Sequence, residues 1–233
     1  MLNSRKSSIF AVEITVDIKK ECMNVEIVDI AQWNKGKMFE RYQKSGKYPI
    51  IACSAQIDVT RIHEAARRER ISFWLMFIHA LGQTLNHFVA FRHRVVLGQV
   101  LRFDCIHVRL ATMDKEHRYY FMLLPLTDSL TELRVAYKAE KRRMDALPEE
   151  ERGTPTPPNS FILNILPQVR LLGFDMNYIS PEGLTGIPYL YAGKPEEDWK
   201  GRWKLTLSIQ FNHSLLDGDD WQQFGLYLEQ HEW

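Results

Sequence analysis

Three residues separate His213 from Asp217-Gly218, and the histidine closes the most regular alternating stretch of the chain. An imidazole has an ordinary pKa near ~6.5, so at neutral pH it can take a proton from a hydroxyl and give it back. In the residues before it, Leu205, Leu207, Ile209 and Phe211 alternate with Thr206, Ser208, Gln210 and Asn212. Period-two alternation predicts a half-buried β-strand. From Asp219 onward the pattern turns helical, with Trp221, Phe224 and Leu228 at i, i+3 and i+7. His213 therefore stands where a strand runs through a turn into a helix, with a fixed backbone and a ring able to face a cleft. The competing reading is a core histidine followed by an aspartate that caps the next helix. The motif by itself leaves both open.

The bulk properties exclude several classes of partner. Net charge is +1, which gives no electrostatic case for nucleic acid or an anionic membrane. No run approaches the ~18 apolar residues of a membrane span, and the start, Met1 to Lys6, lacks the apolar core of a signal peptide. Cys22, Cys53 and Cys105 show no metal-ligand spacing and read as reduced thiols of a cytoplasmic protein. His63-Glu64 begins like a zinc-protease helix, but Arg67 stands where the second histidine must be, so no metal site follows. The basic runs Arg67 to Arg70 and Lys138 to Arg143 carry interleaved glutamates and read as solvated helix faces.

The elements that must position His213 follow from the same patterning. The first 24 residues alternate weakly, as a strand or an ordered arm, and Val25 to Ile30 reads as a short strand. A helix is expected from Gln32 to Gln43, ended by Gly46, then a strand from Pro49 to Val59 and a helix from Arg61 to Arg70 capped by Thr60. Trp74, Phe77, Ile78, Leu81, Leu85 and Phe88 recur at helical spacing, so Ser72 to Phe88 should be the most buried helix. Strands follow at Arg94 to Leu97, Gln99 to Phe103, Ile106 to Thr112 and Tyr119 to Pro125, then a charged helix from Ser129 to Leu147. A proline-rich surface loop, Pro148 to Asn159, leads to strands at Phe161 to Ile165, Phe174 to Ile179, Pro188 to Ala192 and Lys204 to Asn212. A last helix runs from about Asp219 to Glu229. This order predicts one α/β domain over residues 1–233, a mixed sheet with helices packed on it.

His213-x-x-x-Asp217-Gly218 has companions along the chain: Val28-Asp29-Ile30-Ala31-Gln32-Trp33, Phe77-Ile78-His79-Ala80-Leu81 and Gly173-Phe174-Asp175-Met176-Asn177. In this order they resemble the chloramphenicol acetyltransferase family, over roughly residues 25 to 230. The wider superfamily includes the acyltransferase core of 2-oxo-acid dehydrogenase complexes and the two-lobed condensation-type enzymes. The resemblance implies an α+β two-layer sandwich with a largely antiparallel mixed sheet, in a homotrimer whose active sites lie between subunits. It implies a cytoplasmic enzyme, of the antibiotic-resistance type, that transfers acetyl from acetyl-CoA to a hydroxyl of a small molecule. Metal, nucleic acid and membrane have no part in it.

Residue by residue, the resemblance makes His213 the general base of a ternary complex without a covalent acyl-enzyme. Asp217 becomes a structural partner, paired in the family with an arginine where this chain has Lys35. The family serine that stabilises the oxyanion, three residues before a proline, is replaced by Asn164 ahead of Pro167. A tryptophan becomes Gln168, a threonine becomes Tyr191, and the first of a doubled histidine becomes Asn212. Tyr42 matches a tyrosine of the acceptor pocket, the other reading being a plain core tyrosine. Lys194 matches a lysine suited to CoA phosphates, the other reading being a solvated surface lysine. Two alternatives stay open on these departures: a catalytically silent binding protein on the same fold, or an acyltransferase using another acyl-CoA.

Overall fold

The structure is a computed structural model that describes residues 24–45, 49–152, 156–175 and 184–233. Its backbone is built on β11 (Trp203–Asn212), the longest strand among the described residues. β2 (Ile50–Asp58) pairs antiparallel with it along its length, from Ile50 opposite Asn212 to Asp58 opposite Lys204. On the other side β11 meets β9 (Tyr189–Ala192) and the short β10 (Glu196–Glu197), both antiparallel. The sheet continues through β7 (Ser160–Ile165) and β5 (His107–Met113), which join β9 in parallel, to the antiparallel β6 (Tyr119–Leu124). A smaller antiparallel sheet holds β1 (Val25–Ile27), β4 (Gln99–Phe103), β3 (His93–Val96) and β8 (Leu184–Thr185), in that order.

Five helices among the described residues complete the two layers: α1 (Gly36–Lys44), α2 (Thr60–Arg68), α3 (Phe73–His87), α4 (Leu130–Ala146) and α5 (Gly218–Gln230). α3 is the most buried, as its periodicity requires: Met76, Phe77, Ile78, Ala80, Leu81 and Leu85 are all at most 2% exposed. They pack in one core with Leu205, Leu207, Ile209 and Phe211 of β11. α4 buries Leu133 and Met144, and the Ser129 hydroxyl caps it by accepting from Glu132 N at 3.2 Å. No helix among the described residues is long and apolar enough to cross a membrane.

Several expectations are corrected. β11 is buried on both faces, because Ser208, Gln210 and Asn212 are also shielded, at 1, 4 and 0% exposed. Side chains meet the polar face: Ser208 bonds Ser54 at 2.7 Å, and Gln210 donates to Asp175. Phe174 and Asp175, expected in a strand, lie outside any strand, and Phe174 instead stacks on Tyr191 with centroids 3.7 Å apart. The rest of that expected strand, Gly46, and the arm before Asn24 fall outside the described residues. Val59, not Thr60, stands at the N-cap of α2; Thr60 N donates to Asp58, and the Thr60 hydroxyl accepts from Trp203 N. Of the thiols read as reduced, Cys53 is free, Cys105 is disulfide-bonded, and Cys22 falls outside the described residues.

α1 also starts later than its sequence pattern suggests. Gln32 N and Trp33 N both donate to the Asp29 carbonyl, so the chain turns before the helix begins. That turn lies directly against Gly36, where an added Cβ would sit 1.9 Å from the Ile30 carbonyl oxygen. Only a glycine lets the backbones approach this closely, and the approach sets the position of Lys35.

Candidate active site

β11 ends in a reversal built by one side chain. His213 N donates to the Pro49 carbonyl at 2.8 Å, and Leu215 N and Leu216 N both return to the Asn212 carbonyl. The Asn212 carboxamide oxygen accepts from Ser214 N at 2.9 Å and from Ser214 Oγ at 2.6 Å, all fully buried. Asn212 is thus the brace of the turn. The turn brings the Leu216 carbonyl to 3.1 Å from His213 Nδ1. A carbonyl can only accept, so Nδ1 carries the proton and Nε2 carries the lone pair. The Tyr42 ring from α1 stands beside this imidazole, with centroids 6.1 Å apart. His107 differs: burial lowers its pKa to about 4, and its Nδ1 accepts from Leu126 N inside the core.

Asp217 both caps α5 and anchors it. Its carboxylate accepts from Asp219 N and Asp220 N, while Asp217 N donates to the Asp220 carboxylate at 2.8 Å, a reciprocal capping box. Lys35 reaches into the same place, with its ammonium 2.9 Å from Asp217 and bonded to Asp220 as well. Burial opposes the charged form of Asp217, but the Lys35 ammonium and the two amides outweigh it and hold its pKa below the ordinary carboxylate value. Sequence reasoning found Asp217 and Lys35 and missed Asp220, although the Asp-x-x-Asp spacing is a capping-box signal.

Asn164 lies elsewhere in the sheet. It is 7% exposed on β7 and lines a cavity of about 870 Å³ walled by apolar side chains such as Trp74, Leu75, Ile78 and Ile165. Its Oδ1 accepts from the Tyr119 hydroxyl at 3.1 Å, while Nδ2 is buried without a partner. An unmade buried donor costs about 1–3 kcal/mol, so its retention calls for an explanation. Tyr191 and Gln168 line the same cavity, and Arg70, Arg134 and Lys138 edge it. The two basic runs read as solvated thus each send a cation to this rim. Lys194 lies outside, 3.7 Å from Glu196 in a separate groove. Tyr119 had no motif to mark it; it reaches Asn164 only because β6 and β7 flank β5.

The sheet register separates these two groups within one chain. Ser208, Tyr191 and Asn164 are successive cross-strand neighbours on β11, β9 and β7. His213 lies five residues beyond Ser208, which puts it on the order of 20 Å from Asn164. The structure therefore joins His213 with Tyr42, and the Asp217 anchor with Lys35, at one end. It joins Asn164 with Tyr191 and Gln168 at the other.

Comparison with known proteins follows the same lines. A family model described as chloramphenicol acetyltransferase matches residues 23–225. The chain is 23% identical over 198 residues to the chloramphenicol acetyltransferase of Staphylococcus aureus, covering 84% of this chain and 90% of that one. It is 21% identical over 221 residues to the enzyme of the same name from Escherichia coli, covering 86% and 90%. Among solved structures, a chloramphenicol acetyltransferase superposes with a TM-score of 0.74 at 19% identity, over 88% of this chain and 98% of that one. The Azotobacter vinelandii dihydrolipoamide acetyltransferase reaches 0.55 at 19% identity, over 88% and 92%. At such identities the superpositions speak for the fold. The family match, spanning most of the sequence and both ends of the candidate site, shows that the chain belongs to the chloramphenicol acetyltransferase family.

Proposed function

We propose that this protein is a cytoplasmic acetyl-CoA-dependent O-acetyltransferase that acetylates a hydroxyl of a small molecule, with His213 as general base. The observation that carries the reading is the His213 ring, whose Nδ1 is tied to the Leu216 carbonyl. That bond fixes the tautomer in which Nε2 is free to accept a proton. In the ternary complex His213 takes the acceptor's hydroxyl proton as the oxygen adds to the thioester carbonyl. The Asn164 amide donates to the oxyanion that results. Collapse of the tetrahedral intermediate breaks the carbon–sulfur bond, and the imidazolium returns its proton to the departing CoA thiolate. A positioned base contributes about 10²–10⁴-fold and one oxyanion donor about 10²–10³-fold.

The ~20 Å between His213 and Asn164 supports an active site shared between copies, the base from one protomer and the oxyanion donor from its neighbour. This is the homotrimer expected from the resemblance. The apolar cavity suits the pantetheine arm of CoA, and the cations Arg70, Arg134 and Lys138 at its rim suit the phosphates. Tyr42, beside His213, would meet the acceptor.

The full chain is incubated with acetyl-CoA and chloramphenicol or a panel of other hydroxylated antibiotics, and the released thiol is followed colorimetrically. Turnover with at least one acceptor is expected. No turnover with any of them, together with no CoA binding in calorimetry, overturns the proposal; CoA binding without turnover favours a silent binding protein. Sedimentation should give a trimer, and an active monomer would rule out the shared site.

A further inference from the structure

An asparagine in an oxyanion site has a difficulty that a serine lacks. A hydroxyl can turn its proton toward the developing charge, whereas a carboxamide presents a donor in one flip and an acceptor in the other. Asn164 is held in one of them: its Oδ1 is taken by the Tyr119 hydroxyl at 3.1 Å, and Nδ2 is buried and left unpaired, on a residue that lines the cavity. The phenol is itself braced. The Tyr119 ring packs edge-on against Phe121, 5.1 Å between centroids, and the Arg109 guanidinium lies 3.7 Å over Phe121. Partial burial raises the pKa of Tyr119 to about 12, with Tyr191 adding to the shift and Arg109 opposing it, so the hydroxyl keeps its proton at working pH.

We propose that Tyr119 is the positioning residue of the oxyanion donor: its hydroxyl locks the Asn164 carboxamide with Nδ2 facing the cavity. This rests on the reading of Asn164 as that donor. Tyr119 and Asn164 then form one functional unit, in which the tyrosine matters only while an asparagine occupies position 164.

Tyr119→Phe, Asn164→Ala, Asn164→Ser and the Tyr119→Phe combinations with each are assayed for kcat and KM, with thermal stability measured on the same preparations. Tyr119→Phe should lower kcat about five- to tenfold, the weight of one neutral hydrogen bond, with KM and melting temperature little changed. It should have no further effect once residue 164 is serine or alanine. An equal loss in all backgrounds overturns the inference, since Tyr119 would then act by another route. A Tyr119→Phe enzyme as fast as the native one, beside a slowed Asn164→Ala enzyme, overturns the positioning role and spares the oxyanion reading. If Asn164→Ala is itself as fast as native, both fail. A readout independent of turnover is the side-chain amide resonance of Asn164 in protein labelled with ¹⁵N-asparagine, assigned by its loss in Asn164→Ser. Tyr119→Phe should shift or broaden it, and an unchanged resonance overturns the proposal.

Discussion

Replacing Lys35 by methionine keeps most of its length and removes a cation that bridges Asp217 and Asp220. The lysine side chain is 12% exposed, and the carboxylates are 36% and 21% exposed. Exposed pairs contribute about 0–1 kcal/mol, and stripping a buried charge of its partner costs about 3–5 kcal/mol. A half-buried arrangement with solvent on one side lies between these limits, at about 2 kcal/mol. For a chain of this size that corresponds to roughly 4–8 °C in melting temperature. The sign of the pH dependence follows from Asp217. Its pKa is lower folded than unfolded, so its contribution is complete above the ordinary carboxylate range and lost as pH falls through the folded value. The gap between native and Lys35→Met proteins should therefore be full at pH 7 and close as pH falls below about 4. Denaturant titration at fixed protomer concentration, at several pH values, measures it. Lys35→Arg should stay within about 0.5 kcal/mol of native, since the charge is kept. A Lys35→Met loss below about 0.5 kcal/mol at pH 7, or one that persists undiminished in acid, would refute this account.

Three further outcomes are expected. His213→Ala should reduce turnover about 10²–10⁴-fold in the thiol-release assay with circular dichroism and CoA binding retained, and surviving activity would remove His213 as the base. Asn164→Ala should lower kcat about 10²-fold with little change in KM, while Asn164→Ser keeps or raises activity; if Asn164 only satisfies its surroundings, melting temperature falls instead and turnover per folded molecule stays constant. Gly36→Ala must move the Ile30 carbonyl away from the new methyl, at a cost of about 2–3 kcal/mol in denaturant unfolding, and because the shift passes to Lys35 it should also lower kcat.

What the sequence made legible was whatever repeats with a period. α3 and β11 are long enough for their apolar positions to recur, and β4 matches its expected limits, Gln99 to Phe103. β8 and β10 hold two residues each and have no period to read. The second buried face of β11 was hidden because serine, glutamine and asparagine look like solvent-facing residues until their partners Ser54 and Asp175 are in view. At the site, local motifs carried His213 and Asp217, while Asp220 came into view only with the capping box of the structure. Lys35 and Asn164 came through the family resemblance alone, and Tyr119 through neither. Its bond to Asn164 joins residues 45 apart in sequence and depends on the register of an intervening strand.

The place of β11 also bears on how the chain is made. Among the described residues β2 has no strand partner but β11, and their pairing joins Ile50 to Asn212. β9, β7, β5 and β6 can associate without β11, but β2 joins their sheet only through it. At a synthesis rate of ~5–20 residues per second, some 150 residues separate the emergence of the two strands, a wait of ~8–30 s. Throughout it β2 offers both unpaired backbone edges, with Ile50, Ile51 and Ile57 among its side chains. Its last residues carry a charge, Asp58, but no proline or lysine interrupts the strand. On the ribosome the strand that waits longest is thus also the one most open to a neighbouring nascent chain, so yield in the cell should depend on how quickly β11 arrives.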